Sequence, residues 1–358
     1  MRWLKQSWTW LKWPFALGLL GFLFHQNRDG LAQLQDHPKN WSLLLVALVL
    51  CLGSTLLTFY RWYLLVVAQG FEFRLQDAVR LGFVGLIANY VTPLGAVGGD
   101  LTKAVLLARE QVSRRAVAVA TVVLDRILGL LALFILGALA SMLPVSVPRT
   151  NELQLVQWLL WGGSIAGLAG LAVMLHPAST RWGWIKKLTH LPVVGSRLGE
   201  LLHGVALYQS RPTAVVSAVV ISLFGHLGLI LSFFCCARAL LPWSPNLITH
   251  YFFMPLAETF GAFFPTPGGL GGLEGAVQWF YQQLADGAAT KELAGQGGFL
   301  ATIAFRVVGL LVTALGTLYY VSARADIERV TSQSVQSDQS QVAAVPEPAS
   351  RAEPVSSR

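Results

Sequence analysis

The chain has 358 residues, of which 54% are hydrophobic and only 12% charged, and its mean hydropathy is +0.57. A soluble domain carries about twice that charged fraction, so the composition excludes an ordinary soluble enzyme and points to a polytopic helical membrane protein. The net charge of +8 does not indicate nucleic acid as a partner, because the Lys and Arg residues lie between apolar runs, where the positive-inside bias places them.

In chain order, an apolar run at about Trp8–Phe24 follows Arg2 and Lys5. No small-x-small cleavage site precedes Gln26-Asn27-Arg28, so it reads as an uncleaved first span. A second span, about Ser42–Ala68, carries Arg61. A broken segment, about Leu75–Ala108, is interrupted at Asn89-Tyr90-Val91-Thr92-Pro93-Leu94-Gly95-Ala96-Val97-Gly98-Gly99-Asp100. The next span, about Arg115–Leu143, carries Asp125 and Arg126, and another follows at about Leu155–Leu175. The longest polar connection, His176–Arg211, leads to a span at about Pro212–Leu240. A second broken segment, about Asn246–Ala285, contains Pro265-Thr266-Pro267-Gly268-Gly269-Leu270-Gly271-Gly272-Leu273-Glu274, and a last span covers about Gly297–Val321. Residues 326–358 are rich in Ser, Gln, Val and Pro, lack a helical period and are expected to form a disordered cytoplasmic tail. Cys51, Cys235 and Cys236 all sit in apolar runs with no metal spacing, as small packing residues do.

Basic residues set the expected topology. With the N-terminus cytoplasmic, Arg74, Arg80, Arg109, Arg114 and Arg115 all fall inside only if the first broken segment dips into the membrane and returns. At about 30 residues it is too short for two crossings of about 20 each. The second broken segment is long enough for either a hairpin or two crossings. The expectation is an all-α integral membrane fold with about six full transmembrane helices and two re-entrant helical hairpins, both termini being cytoplasmic in a cell (inner or plasma) membrane. The hairpins belong to repeats at about 42–143 and 212–322 within a membrane domain of residues 1–325. They start from opposite faces, which makes the repeat inverted, an architecture of secondary transporters. Arg126-Ile127-Leu128-Gly129-Leu130-Leu131 also matches Arg306-Val307-Val308-Gly309-Leu310-Leu311 at Arg, Gly and two Leu positions.

The chemistry concentrates at the two breaks. Pro93 and Pro267 stop the first half-helices, while Gly98, Gly99, Gly268, Gly269 and Gly271, with Pro265, allow tight turns. Asp100 or Glu274 then opens the second half-helix, where a carboxylate caps free N–H groups and meets the positive end of the helix dipole. A mid-membrane arginine costs about 2.5–3.5 kcal/mol on insertion scales and needs a partner. Asp100 or a ligand anion suits Arg126, because the adjacent Asp125 points elsewhere around the helix; Glu274 and Glu258 suit Arg306. The alternative for each pair is a purely structural ion pair, and for Arg126 snorkelling to the surface. Asn89 and Glu258 are further candidate cavity residues, and Lys103 shares a helix face with Asp100. Arg61 and Arg238 read as snorkelling side chains, and His226 and His250 as satisfied core groups.

At these residues the chain resembles the flippase-like family related to the transmembrane domain of lysylphosphatidylglycerol synthases. The resemblance rests on Asn89, Pro93 and Gly98-Gly99-Asp100, on Asp125-Arg126, and on Pro265–Glu274. It implies a membrane domain that moves an anionic or aminoacylated lipid between leaflets, and re-entrant hairpins at its core. The soluble aminoacyl-transfer domain of the full synthases has no counterpart after Val321, and no Walker A, HExxH or GxSxG motif is present, so enzymatic activity is not expected. No cofactor or metal is expected. The expected function is translocation of an anionic or phosphate-bearing lipid, of phospholipid, polyprenyl-phosphate or hopanoid type. The alternatives are a membrane partner organising a lipid-biosynthesis complex, and a membrane enzyme acting on a lipid phosphate. The expected partners are membrane lipids, with lipid-biosynthesis enzymes and a second copy of the chain as further candidates.

Overall fold

The computed structural model describes residues 18, 21–23, 25, 38–92, 95–111, 114–143, 150–177, 179, 195–285 and 290–343. The helices are α1 (Trp41–Ala68), α2 (Leu75–Val91), α3 (Ala96–Glu110), α4 (Arg115–Ala140), α5 (Asn151–Leu175), α6 (Gly195–Ser210), α7 (Pro212–Leu240), α8 (Leu247–Phe263), α9 (Gly272–Gln283) and α10 (Lys291–Ala343). A 3₁₀ turn, Pro267–Gly269, lies between α8 and α9. Local sequence sets several starts. Asn40, Thr150 and Asn246 cap α1, α5 and α8 through their side-chain oxygens, and Pro212 sits in the first turn of α7, where its missing N–H is harmless.

Among the described residues five helices are long and apolar enough to cross a membrane: α1, α4, α5, α7 and the Lys291–Leu318 part of α10. The sixth expected span, Trp8–Phe24, lies almost wholly outside the described residues. By contrast α2, α3, α8 and α9 have 17, 15, 17 and 12 residues. At 1.5 Å per residue they reach about 18–26 Å, short of a hydrocarbon core of about 30 Å. The element order therefore repeats: a long helix, two short helices about a break, and a long helix.

The first helices of the two halves, α1 and α7, pack extensively and run antiparallel. Asn40 N donates to Ala239 O (3.0 Å), Ser232 Oγ to Ala47 O (2.7 Å), and Arg211 Nη1 to Val67 O (3.4 Å). Contact partners thus move down one helix as they move up the other. Midway along, the Arg61 Nε donates to Asp125 Oδ1 at 2.6 Å and its Nη1 to Ser222 Oγ at 2.8 Å. Gly129 makes room for this guanidinium, since a Cβ there would lie 3.1 Å from Nη1. Both charged residues are buried, so Arg61 is a clasp joining α1, α4 and α7 rather than a snorkelling side chain. Sequence neighbours alone offered no partner for it, because Asp125 lies 64 positions away.

The main core gathers Phe233, Phe253, Tyr281 and Phe299 from α7, α8, α9 and α10. His250 is buried in it and satisfied by Asn246 O (2.9 Å) and Tyr281 Oη (2.8 Å). All three cysteines are free and buried, as packing residues. The exposed position of Arg238 in the last turn of α7 agrees with a snorkelling side chain. The polar connection after α5 holds a helix the hydropathy pattern does not reveal: α6 is tied to α1 by Gln69 Nε2 donating to Gly204 O (2.9 Å) and Tyr208 Oη to Leu65 O (3.0 Å).

Residues 315–358 form a separate compact unit. Within it the helix continues to Ala343, so residues 326–343 are helical where the sequence shows no period. Residues 344–358 lie outside the described residues.

The buried clasp predicts that Asp125→Ala lowers stability by about 3–5 kcal/mol, because Arg61 is left as an uncompensated buried charge. Ser222→Ala, which removes one hydrogen bond, should cost about 1.5–3 kcal/mol. Thermal unfolding in detergent measures both.

Candidate functional site

The two breaks are built differently. In the first, α2 ends at Val91 and Gly95, at φ +57°, starts the return. Pro93 lies outside the described residues. The arms meet through glycine: a Cβ on Gly98 would strike the Thr92 side chain, and one on Gly99 would strike Gly85 O and the Asn89 amide. Asn89 Oδ1 accepts from Gly99 N at 2.8 Å. Asn89 is therefore the cap of the second arm and not a cavity residue, and Asp100 does not cap it. The Asn89 amide reaches across from the facing arm, so Asp100 is left to face other side chains.

In the second break, α8 ends at Phe263, and Phe264 is extended at ψ 127°. Pro265, rather than Pro267, closes this arm, because the residue before a proline is driven out of the helical region. Pro267 instead opens the 3₁₀ turn. Gly268, Gly269 and Gly271 all have positive φ, between 61° and 85°. Glu274 is wholly buried and accepts from Gly271 N at 2.9 Å, capping the second arm as expected.

The tips touch. A Cβ on Gly95 would lie 3.0 Å from Phe264 O, and one on Gly268 would lie 3.0 Å from the Tyr90 ring.

The two arginines part company here. Arg306 Nε pairs with Glu274 Oε1, its Nη2 also reaches Glu274 Oε2 (3.1 Å), and its Nη1 and Nη2 donate to Gly268 O (2.6 Å) and Gly269 O (2.8 Å). Its hydrogen-bonding capacity is absorbed by the hairpin. Glu258 does not partner it. Arg126 lies in mid-helix rather than near a span end, and its Nε is 3.6 Å from Asp100 Oδ2, beyond hydrogen-bond range. Asp100 pairs more closely with Lys103, at 3.0 Å, and Lys103 lies 5.3 Å from the Trp62 ring centroid. The Arg126 Nε and Nη2 are buried without a hydrogen-bond partner, and its guanidinium lies 6.0 Å from the Phe263 ring centroid.

Arg126 opens onto a cavity of about 340 Å³ bounded by α1, α2, α4, α7, α8 and α10. Glu258 also lines it, as expected, together with Tyr90 and His226. His226 is not a satisfied core group: its Nδ1 is buried with no hydrogen-bond partner. Beside the cavity runs an apolar groove of about 820 Å³ lined by Leu256, Phe260, Phe263, Phe264, Trp279 and Phe280. Thr259 lines both spaces. Tyr90 and Phe263 are residues that sequence reasoning passed over, and His226 is one that it read as a satisfied core group. Of these only Tyr90 carried a signal, its place inside the first motif. Among the described residues no group of three His, Cys, Asp or Glu side chains could hold a metal ion.

The contrast between the two acids predicts unequal costs. Glu274→Gln keeps the Gly271 cap but leaves Arg306 uncompensated, and should cost about 3–5 kcal/mol. Asp100→Asn, in a part-exposed pair, should cost about 1 kcal/mol or less. Thermal unfolding of the two variants in detergent distinguishes them.

Comparison with curated proteins and with solved structures finds no match. The family model for the lysylphosphatidylglycerol synthase TM region matches residues 10–316, and the chain belongs to that family.

Proposed function

We propose that this protein moves a lipid with an anionic, phosphate-bearing headgroup between the leaflets of the membrane. The observation that carries this reading is Arg126: two buried guanidinium donors without partners, facing a cavity that adjoins an apolar groove. Buried donors left unpaired are expensive, and a guanidinium fork matches phosphate geometry. An anionic headgroup in the cavity would fill those donors. Its chain would lie in the groove along Phe260, Phe263 and Trp279, with Thr259 at the junction.

Family membership supports a lipid-related role, and the element order supports two inverted repeats. Helices α1 and α7 pack antiparallel, as equivalent helices do when the repeats are related by an axis in the membrane plane. The four short helices are suited to two re-entrant hairpins. Their irregular backbone is tolerated at depth because protein buries it. In this reading Arg306 and Glu274 hold the second hairpin shut and Arg126 alone receives the headgroup; Asp100 and Lys103 position Arg126. Rocking of one repeat against the other would expose the cavity to each leaflet in turn, with both termini cytoplasmic.

Arg126→Ala should slow flipping of a fluorescent phosphatidylglycerol in proteoliposomes by about 10- to 100-fold, the equivalent of about 1.5–3 kcal/mol for hydrogen bonds to a charged group. Its thermal unfolding should be unchanged, and Arg126→Lys should retain part of the rate. Wild-type flipping by a folded Arg126→Ala protein would refute the mechanism.

A further inference from the structure

The transport reading uses Arg126 and leaves two other cavity groups unexplained. Glu258 Oε1, on α8, and His226 Nδ1, on α7, are both buried without a hydrogen-bond partner. His226 Nδ1 lies 3.9 Å from Glu258 Oε2. That is too far for a hydrogen bond but within ion-pair range once the ring is charged. A backbone interaction with Gly129 engages the ring and leaves Nδ1 as the unfilled nitrogen. Buried polar groups are almost always satisfied, so an unsatisfied ring nitrogen close to a carboxyl group whose other oxygen is also unsatisfied marks a missing occupant.

The surrounding charges narrow what that occupant is. From α1, Arg61 reaches the cavity but is taken up by Asp125 and Ser222. From α2 comes the Tyr90 phenol, and from α1 the Cys51 thiol. From α4 comes Arg126, backed by Asp100 of α3. The cavity residues of α10 are uncharged, and Arg306 is bound to Glu274. An anionic headgroup at Arg126 therefore shares that space with the Glu258 carboxyl group, and one proton on the His226–Glu258 pair for each headgroup keeps two negative charges from facing each other there.

The repeat supplies only one such site. Counted from the starts of their helices, Ser222 and His226 correspond to Cys51 and Thr55 in the first half, and Glu258 to Leu86. All six residues line the cavity, but the titratable pair exists only in the second half.

We infer that His226 and Glu258 form a proton-binding site linked to the anion site at Arg126, so that the protein carries one proton with each anionic lipid. This rests on the transport reading above. The proton comes from water on one face, is shared between Nδ1 and the carboxylate, and returns to water on the other face when the headgroup leaves. No other bond forms or breaks. Because linkage is reciprocal, the anion tightens proton binding by the same factor as the proton tightens anion binding.

The test uses the full chain in phosphatidylcholine vesicles containing a trace of fluorescent short-chain phosphatidylglycerol, with a pH indicator in the lumen. A gradient of one pH unit should drive the probe toward the leaflet on the alkaline side by up to about tenfold, with lumenal acidification matching one proton per lipid when the lumen is alkaline. Glu258→Gln should lose the gradient response, read as the ratio of probe movement with and without the gradient, and His226→Gln provides the same readout if Glu258→Gln does not fold. Wild-type movement that is equal with and without the gradient overturns the coupling and leaves the transport reading standing. So does a gradient response that survives in the folded variants. A wild-type protein that moves no probe under either condition overturns both.

Discussion

The second hairpin depends on one guanidinium. A chain that turns sharply leaves carbonyls that no helix can bond, and where the turn is packed in protein no water is at hand to take them. Arg306 accepts that task by donating to Gly268 O and Gly269 O while pairing with Glu274. Glu274 in turn caps the following helix at Gly271. Charge pairing and backbone satisfaction are thus one network, and removing any member leaves another buried and unpaired. The positive φ at Gly268, Gly269 and Gly271 brings the two carbonyls round to the arginine; a side chain at these positions would be strained.

The first hairpin solves the same problem with a neutral group. The Asn89 amide caps Gly99, and glycine contacts bring the arms together. Its arginine is therefore not needed to hold the turn. Arg126 keeps two unpaired donors, leans on Phe263 from the opposite hairpin and faces the cavity. The two breaks thus differ: the arginine of the second is bound into its turn, while that of the first keeps two donors without hydrogen bonds. The Arg61–Asp125–Ser222 clasp joins α1, α4 and α7 beside Gly129, and Arg61, Gly129 and Ser222 all line that cavity.

Much of the fold was legible in the sequence because the bilayer writes strong patterns. Long apolar runs marked α1, α4, α5, α7 and the Lys291–Leu318 part of α10 within a few residues. The Pro/Gly breaks marked both pairs of short helices, and Glu274 was one of the two acids, with Glu258, that the sequence offered to Arg306. Other features were not legible. Arg61 read as a surface group because its partner is distant in sequence. Asn89 read as a cavity residue because a side chain that caps a helix ten positions away leaves no local mark. The helix α6 sits in a polar connection whose hydropathy is low, and its bonds to α1 involve Gln69 and Tyr208 rather than an apolar face.

The sequence by itself determined the apolar surroundings, the two breaks and the charged residues that had to find partners. Hydropathy and Pro/Gly punctuation act locally, so they survive in a linear reading. Only the tertiary structure decided which partners were found. It left Arg126 with open donors while saturating Arg306, turned Asp125 toward Arg61, and brought His226 and Glu258 together across two helices. The physical reason is that hydrogen bonds between side chains act over only about 3 Å. Which groups come that close depends on how helices far apart in the chain are packed.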